Sequence, residues 1–229
     1  MRAVVFANGE PNLPGHWADL VAQARWVVAA DGGGRHCLRY AVRPQVVIGD
    51  LDSLTPAEVE RLQAQGARIL RYPRRKDETD LELALLWAAQ QGADEIAVLG
   101  GLGGRWDQTL ANLLLVAHPR LQGVRLVFYD GEQRLCPVRG CATLEGQPGD
   151  TVSLIPLAGP VEGVTTQGLE YALREGTLPF GVSLGVSNTL TAPRAQVCLR
   201  RGLLLCVVIP ASAQARIEAE KTPPSHRTA

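Results

Sequence analysis

The chain has 229 residues, of which 46% are hydrophobic, so it can bury a sizeable core in one large domain or two small ones. Its 23 basic and 23 acidic side chains cancel, which leaves no general electrostatic reason to expect nucleic acid or a membrane as a partner. No run of about 18 apolar residues occurs and the N-terminus lacks a signal-peptide pattern, so we expect a cytoplasmic protein.

Short runs rich in Val, Ile and Leu alternate with helical stretches over the first 130 residues. The strand-like runs are at 3–7, 26–30, 46–48, 68–71, 96–99 and 125–129. This alternation predicts a mainly parallel sheet with helices on both faces, and ligands at the carboxyl ends of its strands. Capping boxes beginning at Thr55 and Thr79 mark two helix starts.

Beyond Asp130 the chain has frequent Gly and Pro and short β-like runs, at 151–155, 196–199 and 203–209. These features predict a second, all-β domain that is a small sandwich or barrel. We therefore place an α/β domain at 1–133, a β domain at 134–212 and a disordered tail at 213–229.

The cysteines and histidines carry no metal-binding pattern. The five cysteines form no CxxC pair, and their odd number suits unpaired, buried thiols in a reducing compartment. They are Cys37, Cys136, Cys141, Cys198 and Cys206. The four histidines are too widely spaced to predict a zinc site.

Acidic residues follow three successive strand-like runs, at 49–53, 76–80 and 103–107. Asp50 and Asp52 flank Leu51, so both carboxylates point to one side of an extended chain. Carboxylates that meet at a sheet edge repel each other unless a divalent cation such as Mg²⁺ neutralises them. The alternative is a turn in which Asp50 bonds its own backbone and Ser53 or Thr55 caps the next helix.

The loop before the second capping box is rich in cations as well as acids. Asp80 would lie in the first helical turn, where the helix dipole favours an anion. That structural reading does not explain the cations of this loop, Arg71, Arg74, Arg75 and Lys76, whose concentration suits a polyphosphate. A solvated charged loop is the alternative.

Glycine-rich segments follow two strands. The run at 100–104 precedes Arg105 and a helix predicted over 106–117, so its backbone N–H groups and Arg105 could bind an anion. Asp107 could orient a substrate or stabilise the helix N-terminus. Asp31 and Gly32 follow another strand, and there substrate binding and helix capping stay equally open.

Together these segments resemble the signature motifs of the thiamine pyrophosphokinase family. The motifs are Asp31-Gly32-Gly33, Gly49-Asp50-Leu51-Asp52-Ser53, Lys76-Asp77-Glu78-Thr79-Asp80 and Gly103-Gly104-Arg105-Trp106-Asp107-Gln108. Two segments of the β-rich half, 166–169 and 186–189, resemble that family's thiamine-side motifs. The resemblance therefore extends over nearly the whole chain.

The resemblance implies transfer of pyrophosphate from ATP to the hydroxyl of thiamine, which gives thiamine diphosphate and AMP. It implies an α/β domain that binds ATP and Mg²⁺, a β-sandwich domain that binds thiamine, and a homodimer. It also implies four metal ligands, Asp50, Asp52, Asp77 and Asp80; nucleotide contacts from Asp31, Gly32, Lys76, Gly103, Gly104 and Arg105; and substrate contacts from Asp50, Asp107, Gln108, Ser187 and Asn188. Asp52, Asp77, Asp80 and Asp107 are then the catalytic candidates, with Asp80 or Asp107 as any general base.

Two departures from the family pattern affect these expectations. Gln108 replaces a histidine of many bacterial members, and the β-rich half has no tryptophan to stack on thiamine, a role that Tyr171 or Phe180 could take. The alternatives are a pyrophosphokinase acting on a hydroxymethylpterin and a protein that binds Mg-nucleotide without turnover.

Overall fold

The computed structural model describes residues 1–215, and its internal contacts divide the chain into two units, Met1–Pro137 and Val138–Ala229. Of the disordered tail predicted at 213–229, residues 213–215 are helical in the structure, and residues 216–229 lie outside the described part. Within residues 1–215, no helix combines the length and the apolar character that a membrane crossing requires.

The first unit alternates strands and helices in the predicted order. Its strands are β1 (Arg2–Phe6), β2 (Trp26–Ala30), β3 (Val46–Gly49), β4 (Arg68–Arg71), β5 (Glu95–Leu99), β6 (Arg125–Asp130) and β7 (Gln133–Val138). Its α-helices are α1 (Trp17–Gln23), α2 (Gly33–Arg39), α3 (Pro56–Ala64), α4 (Asp80–Gln90) and α5 (Trp106–Leu114), followed by 3-10 turns at Leu115–Ala117 and Pro119–Leu121.

The sheet of this unit has the order β7-β6-β5-β1-β2-β3-β4, parallel except for β7. Its central strands are buried on both faces, which explains why they appear in the sequence as unbroken apolar runs. One face packs with Cys37 of α2 and Leu62 of α3, and α4 contacts β1, β2 and β3 on the other. Since β1 lies between β2 and β5, the strand order reverses there, which is where α/β sheets usually bind ligands.

Two helix predictions differ from the structure in detail. The helix predicted over 106–117 ends at Leu114 and tightens into a 3-10 turn, because Pro119 disfavours helical geometry at His118, which is extended at ψ 129°. The capping box at Thr55 is complete. At Thr79 only half of the capping box forms. The Thr79 hydroxyl accepts from the Glu82 N–H, but the Glu82 carboxylate lies 3.5 Å from His118 Nε2 and does not complete the box.

In its described part, the second unit has antiparallel strands, followed by helical residues at 211–215. The strands are β8 (Cys141–Glu145), β9 (Thr151–Pro156), β10 (Val161–Gln167), β11 (Gly176–Leu178), β12 (Asn188–Thr189), β13 (Arg194–Cys198) and β14 (Leu204–Ile209). They form the sheets β12-β9-β14 and β11-β10-β13-β8. The predicted fold class, an α/β domain followed by a smaller all-β domain, is confirmed.

The prediction that all five cysteines are unpaired was wrong. Cys141 and Cys198 face each other in the register of β8 and β13, with Cα atoms 4.0 Å apart, and form a disulfide. The two cysteines are 57 positions apart in sequence, so only the strand register brings them together. Cys37, Cys136 and Cys206 are buried, as expected of packing residues, and burial raises the pKa of Cys37 to about 12.

Candidate active site

A cleft of about 580 Å³ lies at the carboxyl ends of the strands of the first unit. Six strands each contribute a residue from their end or the loop that follows: Asn8, Asp31, Asp52, Lys76, Gly103 and Asp130. The parallel sheet therefore collects polar residues from distant parts of the sequence on one edge, as predicted.

Three carboxylates converge at this cleft, two of them, Asp31 and Asp52, lining it. One oxygen each from Asp31, Asp50 and Asp52 lies within 4.8 Å of the others. Leu51 has a left-handed backbone, with φ at 65°, which turns the two flanking aspartates toward Asp31. The Asp52 N–H donates to Asp50 Oδ1 at 3.0 Å, so the turn that the sequence left as an alternative is present while the carboxylates still converge.

The buried member of this group has an unsatisfied oxygen. Asp31 is 4% exposed, and its buried Oδ1 has no hydrogen-bond partner in the described part of the chain. A buried anionic oxygen is costly unless a donor or a cation compensates it. Carboxylate oxygens are the ligands that hard divalent cations prefer, so these three residues fit such an ion.

Asp80 lies next to this group and is paired with Lys76. Lys76 Nζ is 3.0 Å from Asp80 Oδ1 and 3.8 Å from Asp50 Oδ2. Burial raises the pKa of Asp80, and the charges of Asp31 and Asp50 add to this against the opposing effect of Lys76. For Lys76, burial lowers the pKa but the neighbouring carboxylates outweigh it, so the net pKa is raised.

Gly49 permits the close approach of two of these carboxylates. A Cβ added there would lie 3.0 Å from both Asp31 Cβ and Asp80 Cγ. Its φ of 152° is also one that other residues rarely adopt. The glycine at the end of β3 therefore favours the close packing of the acidic group.

The structure does not bring every predicted residue to the acidic group. Asp77 is exposed and does not line the cleft. Gly32 lies against the loop after β1, where an added Cβ would be 1.8 Å from Asn8 Oδ1. Asp107 pairs with Arg105 at 2.6 Å, and both side chains are mostly exposed.

The glycine loop after β5 forms one wall of the cleft. Gly103 and Gly104 have φ values of 84° and 67°, which explains why glycine is needed there. The buried Asn112 side chain fixes the loop by donating to the Gly101 carbonyl at 2.8 Å. Arg105 and Gln108 also line the cleft.

Several polar residues of the cleft were missed from the sequence. Asn8 Nδ2 donates to Ser53 Oγ at 3.1 Å, and Asp130 accepts from Asn12 at 3.0 Å. Asn112 lies inside a helix, where its spacing gave no signal. Asn8 and Asp130 could have been found, since each lies at the end of a predicted strand.

Arg35 anchors the acidic loop from outside the cleft. It donates to the Ser53 carbonyl and, through Nε at 2.8 Å, to Glu58 Oε1. Glu58 also accepts from the Thr55 N–H at 2.8 Å. The hydrogen bond from Arg35, followed by that from Thr55, lowers the pKa of Glu58 to about 2.

Replacing Glu58 with glutamine is expected to reduce the free energy of unfolding at pH 7 by about 1 kcal/mol, because the variant weakens both the cap and the Arg35 contact. A carboxyl whose folded pKa is depressed stabilises the fold above its unfolded pKa. That stabilisation is lost between the ordinary value of 4.5 and about 2. Thermal denaturation across this pH range should show a flatter profile for Glu58→Gln than for the parent. Glu60→Gln, exposed on the same helix, is the control; equal profiles for all three proteins would contradict the expectation.

In the second unit, the two residues predicted to contact substrate, Ser187 and Asn188, differ in the contacts that they make. The Asn188 carboxamide accepts from the Tyr171 N–H at 3.0 Å and donates to the Tyr171 carbonyl at 2.8 Å. Ser187 has a left-handed backbone, with φ at 61°, and its N–H donates to Ser153 Oγ. Asn188 is thus committed to holding the backbone of Tyr171, whose side chain is 67% exposed.

Comparisons with known proteins identify what the chain is similar to. A family model described as "Thiamin pyrophosphokinase, catalytic domain" matches residues 17–128, and one described as "Thiamin pyrophosphokinase, vitamin B1 binding domain" matches residues 142–204. Thiamine pyrophosphokinase of Bacillus subtilis is 26% identical over 205 residues, which cover 89% of this chain and 96% of the relative. Thiamin pyrophosphokinase 1 of Caenorhabditis elegans is 28% identical over 210 residues, covering 86% and 84%.

Solved structures give the same result. The crystal structure of the Bacillus subtilis enzyme superposes with a TM-score of 0.83 at 24% identity, covering 92% of this chain and 100% of that one. A thiamin pyrophosphokinase family protein from Enterococcus faecalis superposes with a TM-score of 0.80 at 27% identity, covering 91% and 99%.

Proposed function

Because the chain belongs to the thiamine pyrophosphokinase family, we propose that its first unit binds ATP and Mg²⁺ and its second unit binds thiamine. The protein is a thiamine pyrophosphokinase, which makes thiamine diphosphate from thiamine and ATP. Enzymes of this family use a divalent metal. The match to a vitamin B1 binding domain decides against the pterin alternative, and an enzyme of this type is not a passive nucleotide binder.

The convergence of Asp31, Asp50 and Asp52 carries the proposal for the metal. When bound there, Mg²⁺ would offset phosphate charge and polarise the phosphoryl group that is transferred. Asp31, expected from the sequence to contact nucleotide, thus becomes a proposed metal ligand. Asp77 remains a prediction from the resemblance, without support from its exposed position.

We assign the remaining cleft residues to binding and proton transfer. Backbone N–H groups at Gly103 and Gly104 and the Arg105 guanidinium would hold phosphates, and Gln108 would contact substrate. Asp80 is the better candidate for a general base, because its raised pKa makes it a stronger proton acceptor than an ordinary aspartate. Asp107 is exposed and neutralised by Arg105.

We propose a homodimer, as the resemblance implies. Helix α5 supports it, because Trp106, Leu110 and Leu114 are spaced four residues apart and are 78%, 59% and 53% exposed. An apolar stripe of this kind is typical of a surface that another molecule covers. Light scattering in solution tests the assembly. A cytoplasmic location stays a prediction of the sequence.

The experiment that tests the proposed reaction measures AMP and thiamine diphosphate formed by the purified protein from ATP and thiamine, with and without Mg²⁺. Equimolar products that require the metal are expected. Product formation that survives removal of all divalent ions by chelation would refute the metal assignment. AMP without thiamine diphosphate would refute thiamine as the acceptor.

Ser187→Ala is expected to raise the KM for thiamine roughly tenfold and to leave the KM for ATP within about twofold. A tenfold change corresponds to about 1.4 kcal/mol, which is the free energy expected for the loss of one hydrogen bond. The reason is that Ser187 belongs to the vitamin B1 binding match, whereas the nucleotide is assigned to the first unit. Steady-state kinetics with each substrate varied in turn measures this. Ser183→Ala, an exposed serine of the same loop, is the control. A larger change for ATP than for thiamine would contradict the division of roles.

A further inference from the structure

Lys76 lines the cleft, and its ammonium lies among carboxylates at the cleft wall. Its side chain is 10% exposed, and Nζ lies 3.0 Å from Asp80 Oδ1 and 3.8 Å from Asp50 Oδ2. It also donates to the Pro73 carbonyl at 3.3 Å. The ammonium thus already faces two carboxylates and a carbonyl, which suits a role in balancing their charge.

The contact with Asp80 is electrostatic. Lys76 Nζ lies 3.0 Å from Asp80 Oδ1, and that oxygen is buried away from water. A spherical divalent ion could satisfy the same oxygen, because metal coordination does not need a donor hydrogen. The ammonium therefore lies where a cation of either kind would be stabilised.

The charges of the acidic group require more than one cation. The four carboxylates of Asp31, Asp50, Asp52 and Asp80 would oppose two positive charges from a single divalent ion. Lys76 supplies a third charge from inside the protein. Arg74 lies 3.4 Å from Asp52 but is 82% exposed, so water screens much of its effect.

We propose that Lys76 is the resident cation of this cleft, a permanent substitute for a second divalent ion beside Asp80 and Asp50. The protein then takes up a single ion from solution, at Asp31, Asp50 and Asp52. This inference rests on the proposed function, because it assumes that these three aspartates are the metal site. It changes the predicted role of Lys76 from holding phosphate to balancing the charge of the carboxylates.

Titration with Mn²⁺ in the absence of nucleotide tests the proposal, with free Mn²⁺ followed by electron paramagnetic resonance. The full chain should bind one ion. Lys76→Met keeps the length of the side chain but removes its charge, and it should bind two. Lys76→Arg should bind one, since it restores a cation, and the double variant Lys76→Met with Asp80→Asn should return to one. Arg74→Met is the matched control and should also bind one.

Melting temperature provides a second readout. In a chelator, Lys76→Met should melt below the parent, because Asp80 loses its counter-ion, and Mn²⁺ should raise its melting temperature more than that of the parent. If Lys76→Met does not fold even with Mn²⁺, the double variant should fold, since it removes both charges.

Three results would overturn the proposal: two ions bound by the parent, an unchanged single ion in Lys76→Met, or a double variant that also fails to fold. A parent that binds no Mn²⁺ would overturn it as well. Product formation by the parent is measured separately, so any of these outcomes can occur while the proposed reaction stands.

Discussion

Asp31→Asn is expected to lower kcat about a hundred- to thousandfold, the loss associated with removing one preorganised electrostatic contact. Asp31 is the most buried of the three converging carboxylates, and its Oδ1 has no hydrogen-bond partner among residues 1–215. The same change should raise the melting temperature of the metal-free protein, because it removes a buried charge next to Asp50 and Asp80. The stabilisation that Mg²⁺ gives the parent should disappear.

Steady-state kinetics and thermal denaturation, each with Mg²⁺ and with a chelator, separate these effects. Asp19→Asn, an exposed aspartate on α1, is the control and should behave like the parent. Full activity in Asp31→Asn, or an undiminished shift of its melting temperature by Mg²⁺, would remove Asp31 from the metal site. Asp77→Asn decides between the ligand set predicted from sequence and the one that the geometry favours.

The strands and their common edge could be predicted because they depend on local pattern. A parallel strand buried on both faces must be apolar throughout, as β1, β2 and β3 are. The loops that follow such strands meet at one edge whatever the strand order. Acidic and glycine-rich loops after four of the strands were therefore enough to predict a cleft.

The partners within the cleft depend on strand order and register, which the sequence does not show. Ala30 pairs with Ile48, and this register places Asp31 next to Gly49 and hence beside Asp50. The same limit explains the disulfide, which forms because β8 and β13 align Cys141 with Cys198.

Side-chain direction was a second limit. Lys76 and Arg105 were both predicted to hold phosphate, which stays a prediction for Arg105. The sequence did not show that each lies beside a carboxylate of its own loop or the helix that follows. Asp80 is four residues after Lys76 and Asp107 two residues after Arg105, so short ion pairs were available to both. Which contact a flexible cation makes depends on its surroundings, and composition alone does not decide it.

Gly33→Ala is expected to reduce the free energy of unfolding of the first unit by about 1–3 kcal/mol, the usual cost of overpacking. A Cβ at this position would lie 2.0 Å from the Phe6 carbonyl oxygen and 2.7 Å from its carbon. Both atoms belong to the backbone of the central strand β1, which pairs on either side with β2 and β5. The strand therefore cannot move away without loss of sheet hydrogen bonds.

The strain should also reach the metal site, because Gly33 begins α2 only two residues after Asp31. Displacement of α2 would shift Asp31 relative to Asp50, so the gain in melting temperature on adding Mg²⁺ should shrink together with the stability. Thermal denaturation with and without Mg²⁺ measures both, and a fall of roughly 2–12 °C is expected for a chain of this size. Gly123→Ala is the matched control, since no atom of the described residues lies within 4 Å of its added Cβ. Equal melting temperatures for the two variants would show that α2 can move away from β1 without cost. The close contact between α2 and β1 would then not be what positions Asp31.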